Sequence, residues 1–104
     1  EVVALDAAHG LPLGVVATEV YDEVCVELEP GDLVAVYTDG ITEAKRAGSA
    51  GRDFFETERL DQTLIDAAGA SARDCVQRVA SAVNAFAGST NHADDQTLLV
   101  IRVT

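Results

Sequence analysis

Residues 98–101 read Leu-Leu-Val-Ile, an unbroken apolar run inside a stretch, residues 97–103, that has the composition of a β-strand. Successive side chains of a strand point to opposite faces of its sheet. A continuous apolar run is therefore at home only where both faces are covered. This demand shapes the reading of the whole chain, because it calls for a layer on each side of a sheet.

The other elements follow from period and punctuation. Residues 2–5 are a short apolar run that fits a buried strand. His9-Gly10-Leu11-Pro12-Leu13-Gly14 then turns the chain. Between 19 and 28 the pattern alternates: Val20, Asp22, Val24, Val26 and Leu28 share one parity, with Asp22 its one polar member. Period two predicts a strand. Pro30-Gly31-Asp32 is a turn signal, and Leu33-Val34-Ala35-Val36-Tyr37 is a second strand, so the economical expectation is an antiparallel hairpin.

Thr38-Asp39-Gly40 stops that strand, residues 41–46 hold a turn or two of helix, and the small residues 47–51 form a loop. Residues 57–68 read as a helix with Leu60, Leu64, Ala67 and Ala68 on one face, closed by a left-handed Gly69. Ser71 resembles an N-cap for a second helix ending near Gly88. Its stripe of Val76, Val79, Ala80, Val83, Phe86 and Ala87 keeps helical spacing. Val76, Val79, Val83 and Phe86 are expected to face the sheet. The predicted class is α+β, with antiparallel strands and two helices on one face. One helical layer cannot cover both faces of residues 97–103, so a partner layer is expected from outside this chain.

Charge excludes two large classes of function. The 104 residues carry 7 Lys and Arg against 18 Asp and Glu, a net charge of −11. Tracking nucleic-acid phosphates needs clustered cations, as does electrostatic adhesion to a membrane surface. No apolar run approaches the length of a membrane span, and no secretory signal is visible, which points to the cytoplasm. The carboxylate surplus suits hard cations such as Mg²⁺ or Mn²⁺, and it suits plain solubility equally. Cys25 and Cys75 sit in apolar surroundings and are expected as two buried, reduced thiols. The chain starts at Glu1 without methionine, directly in an apolar run, as a segment cut from a longer protein would.

Two acidic elements stand at strand ends. Asp39 lies where an apolar strand stops at Gly40, and Asp94-Asp95 lies where the last strand begins. If those strands are antiparallel neighbours, both elements meet at one rim of the sheet. Converging carboxylates on rigid strand ends make a hard-cation site. Each element also has a plain reading, since Asp-Gly is a turn dipeptide and Asp before a strand is loop punctuation.

The run Pro30-Gly31-Asp32-Leu33-Val34-Ala35-Val36-Tyr37-Thr38-Asp39-Gly40-Ile41-Thr42-Glu43-Ala44 resembles the "pGD-strand-TDG-x-x-E" signature of the SpoIIE/RsbU-like bacterial branch of PPM-type metal-dependent serine/threonine protein phosphatases. Leu11-Pro12-Leu13-Gly14-Val15 is similar to that family's "pLG" turn, Arg59-Leu60 to its "RL", and Asp94-Asp95-Gln96-Thr97-Leu98-Leu99-Val100 to its terminal "DDxTllv" strand. One departure is local: the family's "FG" becomes Phe55-Glu56 here.

The resemblance implies the C-terminal half of an α-β-β-α sandwich domain, spanning residues 1–104. The first half would bring further acidic ligands. It implies Asp39 and Asp94 as metal ligands for two Mn²⁺ or Mg²⁺ ions in the complete domain. Gly40, Asp95 and Thr97 would then hold the turns around them, and Glu43 takes no catalytic role. It implies hydrolysis of phosphoserine or phosphothreonine by a metal-activated water, without a covalent enzyme intermediate. The implied substrate is a phosphorylated bacterial regulator of the anti-sigma-factor antagonist type, which makes this sigma-factor signalling. Further partners are the missing N-terminal half and, possible for a bare sheet, a second copy. A different reading keeps the fold as a catalytically incomplete, partner-binding regulatory module, and a third is an acidic binding domain without metal chemistry. His9 and His92 are read as loop residues, although His92 stands near the metal site.

Overall fold

The computed structural model describes residues 2–6, 8, 10–48, 53–88 and 95–104. Its elements are β1 (Leu33–Tyr37), α1 (Asp39–Thr42), α2 (Glu56–Asp66), α3 (Ala72–Ala87) and β2 (Leu98–Arg102). The class is α+β. β1 and β2 pair antiparallel, with Leu33 opposite Arg102, Ala35 opposite Val100 and Tyr37 opposite Leu98. The alternate pairs, Val34 with Ile101 and Val36 with Leu99, occupy the other face.

α3 forms where the sequence places it. The Asp74 N–H donates to Ser71 Oγ at 3.1 Å, and Gly88, at φ 71°, closes the helix with its N–H on the Asn84 carbonyl. Its buried stripe is Cys75, Val79, Val83 and Ala87. Val79 and Val83 pack with Ile41, Ala44, Phe55 and Leu60, and Leu98 of β2 lies against the same cluster. Cys75 packs with Ala67 and Val100, and only this second cluster, with Val76 against it, reaches Leu33 and Ala35 of the sheet. Phe86 meets Phe55 edge-on, with ring centroids 5.6 Å apart. The expected stripe is right in spacing apart from the exposed Ala80, and it covers β2 together with α2 and the segments that flank α1.

α2 ends two residues before the expected Ala68. Gly69 is not left-handed; the Ala67 N–H turns back to the Thr63 and Leu64 carbonyls. The next open carbonyls, of Ala68 and Ala70, accept from Arg102 Nη1 at 3.0 and 2.7 Å. A guanidinium from β2 thus does the closing that a glycine was expected to do.

Three strand expectations are corrected. Residues 2–5 and 19–28 form no strand, and Val20, Val24, Val26 and Leu28 are exposed. A strand needs a neighbour for its N–H and C=O groups and a layer for its apolar parity, and β1 takes its partner from β2. The turn expected to make the hairpin does form: the Asp32 N–H donates to the Glu29 carbonyl at 3.0 Å, with Gly31 at φ 96°. It then serves β2, because the Gly31 N–H donates to the Val103 carbonyl and the Val103 N–H to the Asp32 carbonyl. Cys25, within the unpaired segment, is exposed, and only Cys75 is the buried thiol expected. Finally, β2 is covered on one face alone: Val100 is buried, whereas Leu99 and Ile101 are 54% and 48% exposed.

Candidate metal-site rim

The antiparallel pairing of β1 and β2 sets the end of one strand beside the start of the other. The chain leaves β1 through Thr38, an extended residue at φ −102° and ψ 162°, and enters α1 at Asp39. It enters β2 through Asp95, Gln96 and Thr97. The two connections are bonded to one another. The Thr38 N–H donates to the Thr97 carbonyl at 3.1 Å, and the Thr97 N–H donates to Thr38 Oγ1 at 3.1 Å. Thr38 Oγ1 in turn donates to the Asp95 carbonyl at 3.4 Å. Gln96 Nε2 donates to the Gly40 carbonyl at 3.2 Å.

Gly40 is buried beneath this contact, and a Cβ there would overlap the Asp95 carbonyl oxygen. Only glycine lets the two backbones come so close. Asp39, immediately before it, is exposed, and its carboxylate has no hydrogen bond or ion pair among the described residues. A carboxylate with no competing partner among the described residues, carried on backbone that is bonded on both sides, is a suitable oxygen ligand for a hard cation. Among the described residues, no three His, Cys, Asp or Glu side chains gather around one point, so Asp39 alone does not make a complete site.

The structure therefore brings Asp39, Gly40, Asp95 and Thr97 to one rim. Asp94, His92 and His9 lie outside the described residues. Thr97 contributes through its backbone N–H and C=O. Glu43 is exposed at the end of α1, its N–H on the Asp39 carbonyl. Two participants were not singled out from sequence. Thr38 looks like an N-cap but makes no capping bond to α1. Gln96 occupies the variable position of "DDxT". The available signal was a short hydroxyl before Asp-Gly and an amide between two fixed positions.

The downstream loop is held by α2 and α3. Arg59 Nη1 donates to the Phe54 and Phe55 carbonyls at 2.9 and 3.1 Å, and its guanidinium lies 4.5 Å from the Phe86 ring centroid. Arg46 packs on the same ring and bonds Asp53 at 2.6 Å. Arg59 and Leu60 thus fix the segment entering α2. Glu56, standing where the phosphatase pattern has glycine, adopts φ 65°. The local backbone keeps a glycine-like conformation without the glycine.

No helix among the described residues is long and apolar enough to cross a membrane. The family model described as Stage II sporulation protein E (SpoIIE) matches residues 1–104. No curated protein matches the chain, and no solved structure does.

Proposed function

The chain belongs to the SpoIIE family, whose members are PPM-type phosphatases, and from that membership we propose that it is the C-terminal half of a cytoplasmic, metal-dependent serine/threonine protein phosphatase domain. Its substrate is a phosphorylated bacterial regulatory protein of the anti-sigma-factor antagonist type. The observation that carries the reading is the bonded rim, which ties the two neighbours of Asp39, Thr38 and Gly40, to the segment leading into β2, while the Asp39 carboxylate has no hydrogen bond or ion pair among the described residues. Asp39 and Asp94, the covalent neighbour of Asp95, are the residues that would hold Mn²⁺ or Mg²⁺. Such an ion supplies a water acidified enough to attack phosphorus, together with charge to balance the phosphoryl oxygens. This chain's own part is to fix carboxylate positions: Gly40 permits the close approach and Thr97 anchors the strand start. The remaining ligands belong to the first half of the domain.

A partner-binding module with an incomplete site is the alternative, favoured by the absence of a three-ligand cluster among the described residues. The two readings separate in a phosphopeptide assay with Mn²⁺ on the full-length protein. The phosphatase reading expects turnover that falls at least 100-fold in Asp39→Asn, which keeps shape and removes charge. Absence of turnover in the unaltered full-length protein selects the module.

A further inference from the structure

We propose that Gln96 and Thr38 are positioning residues for the metal site, a clasp that sets where the Asp39 carboxylate stands relative to the segment entering β2. The proposal rests on the metal-dependent reading above. α1 spans only Asp39–Thr42, so its carbonyls soon run out of partners along the helix. The Glu43 N–H goes to the Asp39 carbonyl and the Ala44 N–H to the Ile41 carbonyl. The Gly40 carbonyl between them belongs to a buried residue, and the amide of Gln96, 3.2 Å away, serves it across the gap between connections. A buried carbonyl left without a donor is costly, so this bond resists any separation of the two connections.

Thr38 makes the complementary half. Its hydroxyl accepts from the Thr97 N–H and donates to the Asp95 carbonyl, using both of its hydrogen-bonding capacities across the same gap. Thr38 precedes Asp39 and bonds across to Asp95 and Thr97, and Gln96, between those two residues, bonds back to Gly40. Neither offers an oxygen in the role of a charged ligand. Their influence runs through the backbone that carries the carboxylate, as groups behind metal ligands generally act.

The test uses full-length protein and two readouts that do not depend on turnover: Mn²⁺ binding, followed by the electron paramagnetic resonance of free Mn²⁺ without substrate, and the melting temperature of the metal-free protein. Gln96→Met removes the amide at similar length, Thr38→Val removes the hydroxyl at similar volume, Thr38→Ser restores it, and Asp39→Asn is the reference. The clasp predicts Mn²⁺ affinity weakened about 10-fold in Gln96→Met and Thr38→Val, within the range for groups behind metal ligands. Thr38→Ser should bind within about twofold of the unaltered protein, and KM for a phosphopeptide should not change while kcat falls. A merely structural role would lower the melting temperature and leave Mn²⁺ affinity untouched in the folded range, which overturns the proposal. If Asp39→Asn abolishes Mn²⁺ binding and neither clasp variant weakens it, the clasp fails and the metal reading stands. If Asp39→Asn binds Mn²⁺ normally, the metal reading itself fails and takes the clasp with it.

Discussion

Gly40 and Glu56 place opposite demands on residue type at two backbone positions. At Gly40 the constraint is space, since any Cβ meets the Asp95 carbonyl oxygen, a backbone atom that cannot swing away. Gly40→Ala should therefore force the two connections apart. We expect a loss of at least about 2 kcal/mol, read by urea unfolding, in the range for overpacking a tight contact. At Glu56 the constraint is conformation. A side chain at φ 65° costs about 1–2 kcal/mol relative to the right-handed region, and glycine escapes that cost. Against this, an acidic residue in the first turn of α2 is favourable by about 0.3–1 kcal/mol. The first term is larger, so Glu56→Gly should stabilise the protein by about 0.5–1 kcal/mol. Glu56→Ala keeps the strained backbone and should gain nothing, and a denaturant series on both variants separates conformation from charge.

At the scale of elements, α3 is the member on which most of the core depends. Its face covers Leu60 of α2, which has no exposed surface at all, along with Phe55 and Ile41. Leu60→Ala should cost about 3 kcal/mol, transfer and cavity together, because the rigid surroundings collapse only in part. Ser71→Ala should cost about 1 kcal/mol through the lost Asp74 cap, with unfolding cooperativity unchanged. The helices were legible in the sequence because their signals are local: spacing, a serine cap and a closing glycine all lie within one element. β1 was legible for the same reason. What escaped was every feature that depends on a distant segment. The alternation in residues 19–28 describes a surface able to join a sheet, and it does not say whether a partner is present. Arg102 closing α2, and Gln96 serving the Gly40 carbonyl, join residues at least 32 apart in sequence. The rim was anticipated in conditional form: were the two strands antiparallel neighbours, their acidic ends would meet, and the pairing of β1 with β2 supplies that condition while Asp94 lies outside the described residues. Its bonding through Thr38 and Gln96 is a matter of side-chain reach that spacing cannot reveal.

For the molecule as a whole, the sheet is the unfinished part. Val34, Val36, Leu99 and Ile101 share the face away from α3, and three of them are about half exposed: Val36 at 56%, Leu99 at 54% and Ile101 at 48%. None of the four is charged, although the chain carries a net −11. Contiguous apolar surface of this kind favours association, while the net charge opposes it through repulsion between copies. Repulsion is long-ranged and screened by salt, with a Debye length of about 10 Å at 0.1 M, whereas burial of apolar surface is not weakened by screening. The 104-residue chain by itself should therefore self-associate, and more strongly as salt rises. Sedimentation velocity across a salt series measures this directly, and replacing Val36 and Leu99 together by lysine should return the chain to monomer at every salt concentration. In the full-length protein, where the reading above supplies a second layer, the same face should be covered and no such salt dependence should appear. A chain that stays monomeric at high salt and high concentration would show that the face is tolerated in water without a second layer.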